Sequence, residues 1–380
     1  MAAEVAAVGG HTVAVYDQHR SPARKFVLAG RGGLNITHSE PIDDLLDRYG
    51  PERSHLEAAI RAFSPDDLRA WCAELGHETF IGSSGRVFPA EFRAVPLLRS
   101  WLRRLELLGV SFVPQHRWTG WNETGKLTFG APNGEVVVEA ERTILALGGA
   151  SWPRVGSDGS WAQLLIDRGV DVSPLRPANC GVSVEWSDVM IERFAGEPVK
   201  NAAVIVDGVV VRGDPVVTRT GLEGGPIYAH SRRVRSQLDV GASDLVIDLF
   251  PDLDIERLRA TLVKNRSRGQ SAARWLRQCG VTPVGASLMR EATNNRLPTE
   301  PNDLAHLAKA VPVAVSAMAS IDRAISSAGG VAWSEVDDDY QLRALSGVYA
   351  VGEMLDWEAP TGGYLLQACF STGHAAATAL

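Results

Sequence analysis

Four cysteines are all the 380-residue chain contains, and Cys72, Cys180, Cys279 and Cys369 are widely scattered with no Cys-x-x-Cys pair. Their spacing offers no disulfide framework and no metal-ligand set, so they read as packed thiols of a reduced, cytoplasmic protein. Long apolar runs are missing as well. The longest candidate, Ala310 to Ile321, contains Pro312 and falls short of the ~18 residues that span a bilayer. A basic start is absent, with Glu4 in its place, which argues against a secretory leader. Nor is there an excess of positive charge: 38 Lys and Arg against 45 Asp and Glu leave a net charge of -7. That balance is the opposite of the basic face a nucleic-acid binder carries. The local cluster Arg232-Arg233-Val234-Arg235 has no aromatic residues interleaved for base stacking and reads as a solvated helix face.

What is present is ordinary globular text, 45% hydrophobic and 22% charged, long enough for two or three domains. An Ala-rich helical stretch, Met1 to Val8, turns at Gly9-Gly10 into the alternating run His11 to Asp17, a strand ending in an acid. Helical text fills 54–76, its second half opening at Ser64-Pro65-Asp66-Asp67, a cap followed by proline at the first helical position. A further helix carries Leu97, Leu98, Trp101, Leu102, Leu105 and Leu108 as a core stripe. Between Val110 and Ala140, hairpin signals at 122–125 and 132–134 predict a small antiparallel meander. The buried strand Thr143 to Leu147 follows. Residues 181–220 read as short strands, and helices are expected at 224–238, 253–264, 271–279, 284–294 and 302–310. A strand, Gly347 to Val351, and a helix from about Gly363 to the C-terminus close the chain.

This order suits a Rossmann-like α/β domain of the two-dinucleotide-binding class, 1–178 and 318–380, split by a β-rich, barrel-like insert at 179–250 and a helical insert at 251–317.

Asp17 has the position at the end of a second Rossmann strand from which a carboxylate accepts hydrogen bonds from the ribose of an adenosine. Its usual companion, a strand followed by G-x-G-x-x-G and a helix, is not in the sequence. Gly30-Arg31-Gly32-Gly33 lets the backbone pass close to a planar ligand, and Asn35 and Thr37 are uncharged groups able to meet a flavin edge. On local chemistry alone an ordinary flexible loop is the favoured account of those glycines. Gly148-Gly149 directly after a buried strand permits the same close approach, as a plain turn also would. Gly352-Glu353, then Gly362-Gly363-Tyr364 opening a helix, presents free N–H groups and a positive dipole end suited to a reduced, anionic isoalloxazine.

Four segments now stand in order: Arg24-Lys25 with Gly30 to His38; Gly148 to Gly159; Thr218 to Pro226; and Gly347 to Gly373, with Gly352-Glu353-Met354-Leu355-Asp356 and Thr361-Gly362-Gly363-Tyr364. Together they resemble the signatures of the BaiN-like or aminoacetone-oxidase-like (HI0933-like) family of FAD-binding flavoproteins. The common family loop reads Gly-Arg-Cys-Asn where this chain has Gly32-Gly33-Leu34-Asn35, which is similar to a divergent branch. The resemblance implies FAD contacts at Asp17, Lys25, Asn35, Thr37, Gly149, Glu353 and the turn Gly362, Gly363, Tyr364 and Leu365, with Gly30 and Gly148 supplying close backbone approach.

The function expected is an FAD-dependent oxidoreductase acting on a small molecule, with NAD(P)H or oxygen as the second partner. No catalytic residue, substrate or oligomeric state is identified. Flavin-dependent amine oxidation is a second reading. A cofactor-free scaffold, which takes the missing loop literally, is a third. Two further expectations follow from that loop. The native product starts upstream, with Met1 an internal methionine, and the 380-residue form binds FAD weakly and aggregates through unpaired strand edges. Gly363→Val is expected to lower flavin content with little change in secondary structure.

Overall fold

The computed structural model describes residues 1–28 and 33–380, which form two compact units. One comprises Met1–Arg176 and Ser326–Leu380; the other is the continuous stretch Pro177–Ile325.

In the first unit, the strand Ala14–Asp17 pairs in parallel with Ser111–Pro114, Asp17 lying opposite Pro114. A second parallel pair joins Thr143–Leu145 to Val348–Ala350, so the chain's last strand returns to a partner about two hundred residues earlier. The loops at the carboxyl ends of these strands carry Asp17, Gly148-Gly149 and Gly352-Glu353, the position at which α/β sheets bind ligands. Ser111–Pro114 belongs to this parallel pairing and not to the expected meander, which consists of Arg117–Trp121, Leu127–Ala131 and Gly134–Val138. The correction has a plain cause: Val110 packs into the interior after the preceding helix, so the chain enters the sheet before it turns back.

Helix Tyr364–Thr378 is the spine of this unit and packs against Ala2–Val8 and Arg53–Ala62. It separates two apolar clusters, one around Leu46, Tyr49, Ile60, Leu165 and Trp357 and one around Leu34, Ile36, Leu68, Leu97 and Phe370. Ser64 caps Pro65–Glu74, as the Ser-Pro-Asp-Asp text implied, and Asp67 returns a bond to the Ser64 backbone to complete a reciprocal capping box. The stripe on Ala94–Leu107 buries Leu97, Leu98 and Leu105, whereas Leu108 lies beyond the helix end and is exposed. A three-stranded antiparallel sheet of Thr37–His38, Arg86–Pro89 and Thr79–Ile81 fixes the segment after the glycine loop.

In the second unit, two four-stranded sheets share one core with the helices. Val204 and Ile247 from strands meet Leu258, Leu276, Leu288 and Leu304 from helices. The β-rich and helical stretches are therefore packed together. Val311–Pro312 and Val315–Met318, which follow the helices, supply a strand to each sheet and so draw the helices back onto it. The basic cluster on Ser231–Asp239 is not wholly solvated either: Arg235 is buried and donates to the Pro177 carbonyl oxygen at 2.9 Å. Among the described residues no helix is long and apolar enough to cross a membrane.

Candidate active site

Three groups of residues gather in the first unit. The most tightly bonded surrounds Lys25, on the short helix Arg24–Leu28. Its ammonium donates to Glu353 Oε2 at 2.7 Å, Ser151 Oγ at 2.8 Å and Ser157 Oγ at 3.2 Å. The other carboxylate oxygen, Glu353 Oε1, accepts from the Ser327 backbone N–H at 3.0 Å, and Ser327 Oγ accepts from the Ala150 N–H at 2.8 Å. Ser151 and Ser327 are fully buried and Glu353 is only 7% exposed, so the carboxylate of this ion pair is taken out of water, while the Lys25 side chain keeps 26% of its surface exposed. Gly149 is required here sterically. A Cβ on it would run into Ser327 Oγ and stand 3.2 Å from the Glu353 carboxyl carbon. Gly148 holds a positive φ of 72° and its carbonyl accepts from the Trp161 indole at 2.9 Å. Cys369, on the long helix behind Gly352, completes the surroundings; burial and the Glu353 charge push its thiol up to about 12.

The second group joins Asn35 and Thr37 to the turn before the last helix. Gly363, at φ 96°, lies so close to Thr37 that an added Cβ would stand 2.5 Å from the Thr37 carbonyl oxygen. Asn35 Nδ2 donates to the carbonyls of Thr37 at 2.8 Å and Val87 at 3.1 Å, which fixes this strand in place. The Tyr364 ring folds back over Gly362 and stacks on His38 with centroids 5.3 Å apart. Burial, and then the Glu40 carboxylate beside it, push the Tyr364 phenol above its ordinary value. Burial opposes the charge on Glu40, but hydrogen bonds from Arg48 and Tyr364 outweigh it and hold that carboxyl low. Leu365, partly buried, packs its side chain against the apolar cluster around Tyr49 and Trp357.

Asp17 forms the third group. Its Oδ1 accepts from the His19 N–H at 2.7 Å, and Gln18 Nε2 donates to the Gly156 carbonyl at 2.8 Å, tying the strand end to the loop after Gly149. Gly30 lies outside the described residues.

These groups fit a bound flavin nucleotide on two observations. The hydroxyl Oγ1 of fully buried Thr37 has no hydrogen-bond partner, and the helix starting at Tyr364 has no side-chain cap over its first N–H groups. An orphan polar atom beside an uncapped helix start is a place where a ligand's oxygens and ring nitrogens supply what the protein omits. Sequence reasoning missed Ser151, Ser157 and Ser327. The first two lie inside the second motif, where hydroxyls after a Gly-Gly exit were a usable signal; Ser327 sits in a plain strand and gave none.

Comparison with known proteins accords with this geometry. The chain is 25% identical over 384 residues to the 3-dehydro-bile acid delta(4,6)-reductase of Clostridium scindens, covering 98% of this chain and 93% of that protein. Among solved structures it is similar to the 3-ketosteroid delta1-dehydrogenase of Sterolibacterium denitrificans, with a TM-score of 0.50, 11% identity, and coverage of 100% of this chain and 96% of that one. The 3-ketosteroid-delta4-(5alpha)-dehydrogenase of Rhodococcus jostii gives a TM-score of 0.47 at 14% identity, covering 99% and 93%. The family model described as the HI0933-like protein Rossmann domain matches residues 1–379. The chain belongs to the HI0933-like family and is built on its FAD-binding Rossmann domain, the fold of an FAD-dependent oxidoreductase.

Proposed function

We propose that this protein is a reductase that takes electrons from a reduced nicotinamide and delivers them to a carbon–carbon double bond of a small, largely apolar substrate. FAD, when bound, supplies the hydride transfer between the two. The chain's own residues have holding and shaping tasks. Asp17, with Oδ2 free of the local turn, receives the ribose hydroxyls. Gly148 and Gly149 let the cofactor lie against the backbone, beside the Glu353 carboxylate. Thr37 Oγ1 and the N–H groups before Tyr364 face the isoalloxazine, and the positive end of a 15-residue helix favours its reduced, anionic form. The observation that carries this reading is the contact between Thr37 and Gly363, which sets an orphan hydroxyl beside an uncapped helix start. The reductive direction and the class of substrate come from the relative in Clostridium scindens, whose name describes a reductase of a bile-acid skeleton.

The test begins with colour and stoichiometry. Protein incubated with FAD and passed through gel filtration is expected to retain flavin, and anaerobic NADH or NADPH is expected to bleach it. Re-oxidation by an enone-containing steroid in the absence of air supports the substrate class. Flavin bleached by an amine without nicotinamide favours the oxidase reading, and flavin-free protein after incubation favours the scaffold.

A further inference from the structure

A protonated lysine has three N–H donors and no acceptor. At Lys25 all three have oxygen partners, Glu353 Oε2, Ser151 Oγ and Ser157 Oγ, at 2.7, 2.8 and 3.2 Å. Nothing is left over for a phosphate or a substrate carbonyl. We infer that Lys25 is a positioning residue that acts through Glu353, neutralising and orienting a buried carboxylate, and that it makes no bond of its own to cofactor or substrate.

The surroundings explain why such a clamp is needed. A carboxylate buried without a counter-charge either takes up a proton or destabilises the fold around it. Glu353 is 7% exposed, with fully buried Ser327 on one side. Its two oxygens are held separately, Oε1 by the Ser327 N–H and Oε2 by Lys25, so the group can neither rotate nor drift. The two serines finish the arrangement by fixing the ammonium, so one cation joins the helix Arg24–Leu28, the loop 148–157 and the turn Gly352–Met354. Among the described residues the other titratable group facing the pair is Cys369; its thiol, pushed up to about 12, stays neutral and does not compete for the charge. The pair differs from a surface salt bridge, in which solvent screens each partner independently. Here removal of the lysine charge strands the buried carboxylate.

The role for Glu353 rests on the flavin-site reading above, so the experiment separates the two. Lys25→Met, Glu353→Gln and the double variant are melted between pH 8 and pH 5 without flavin, then titrated with FAD by fluorescence quenching. A clamp predicts that Lys25→Met melts well below the native protein at pH 8 and recovers toward it at pH 5, as the stranded carboxylate takes up a proton. Recovery disappears in Lys25→Met/Glu353→Gln, which is less damaged at pH 8 than Lys25→Met alone. A deficit equal at both pH values, or one that the double variant leaves unchanged, overturns the inference; so does a double variant that fails to fold at either pH. A Lys25→Met variant folded only at pH 5 is the clamp result in its strongest form. In the FAD arm, Glu353→Gln is expected to bind roughly tenfold more weakly, the equivalent of one charge-assisted hydrogen bond. Equal affinity for native protein and Glu353→Gln refutes the flavin-site role of Glu353, while the melts still decide on the clamp.

Discussion

Replacing Gly363 by alanine adds one methyl group at the join between the two halves of the first unit. At φ 96° the residue occupies a backbone conformation that costs a residue with a Cβ roughly 1–2 kcal/mol. The added Cβ would also stand 2.5 Å from the Thr37 carbonyl oxygen and 2.6 Å from both its carbonyl carbon and Cα. These are backbone atoms of a strand paired to Arg86–Pro89, with no side chain able to swing away. Overpacking of this kind adds about 1–3 kcal/mol, for a combined loss of roughly 2–5 kcal/mol. In a domain of this size each kcal/mol lowers Tm by ~2–4 °C, so a drop of about 5–20 °C is expected. Gly76→Ala is the internal control: its φ is 84°, but nothing lies within 4 Å of the added Cβ, so it suffers the conformational strain without the collision. Thermal melts of both variants, followed by circular dichroism, isolate the contact with Thr37. Melting temperatures within about 2 °C of one another would sink the argument, because strain alone would then account for Gly363. The expectation that a side chain here lowers flavin content without touching the fold gives way to one in which both suffer together.

Gly149→Ala is expected to break the Ala150–Ser327 hydrogen bond by collision with Ser327 Oγ. Gly149→Ala/Ser327→Gly should restore part of the lost Tm, and a double variant no better than the single one would show that the collision lies elsewhere. His230 is fully buried, donates from Nε2 to the Val204 carbonyl at 3.1 Å and has no partner at Nδ1. Burial lowers its folded pKa below the ordinary 6.5, so the fold favours the neutral ring. Its contribution to stability is complete above about pH 6.5 and is lost as pH falls below that value, when the unfolded chain binds the proton more readily. The urea midpoint should therefore fall between pH 7 and pH 5, with a shallower fall in His230→Gln; equal slopes would exclude His230 as the source.

Local signals made the helices of the second unit legible. Asp254, Ser271 and Thr282 each cap a helix through the side chain, and proline follows Thr282. The short sheet built from Thr37–His38 was not legible, because two-residue pairing is decided by distant neighbours and leaves no period to read. At the site, the glycines announced themselves through their type, and both Gly149 and Gly363 sit where a Cβ collides. What they collide with was hidden: Ser327 and Thr37 lie far from them in sequence. The partnership of Lys25 with Glu353 was beyond local reading for the same reason, since it links residues 328 positions apart.

That separation also sets an order of events during synthesis. The unit Pro177–Ile325 is one continuous stretch and has all its strands once Met318 has emerged. The first unit must wait. At ~5–20 residues per second, Glu353 follows Lys25 out of the ribosome by roughly 15–65 s. For that interval Lys25 lacks its carboxylate, Thr37 lacks the turn at Gly363, and Thr143–Leu145 lacks the strand Val348–Ala350. The nascent first half lacks these closing contacts while the second unit folds, although its own pairings, such as Ala14–Asp17 with Ser111–Pro114, need nothing from the C-terminal part. On the flavin-site reading proposed above, the site is complete only once the helix Tyr364–Thr378 has emerged.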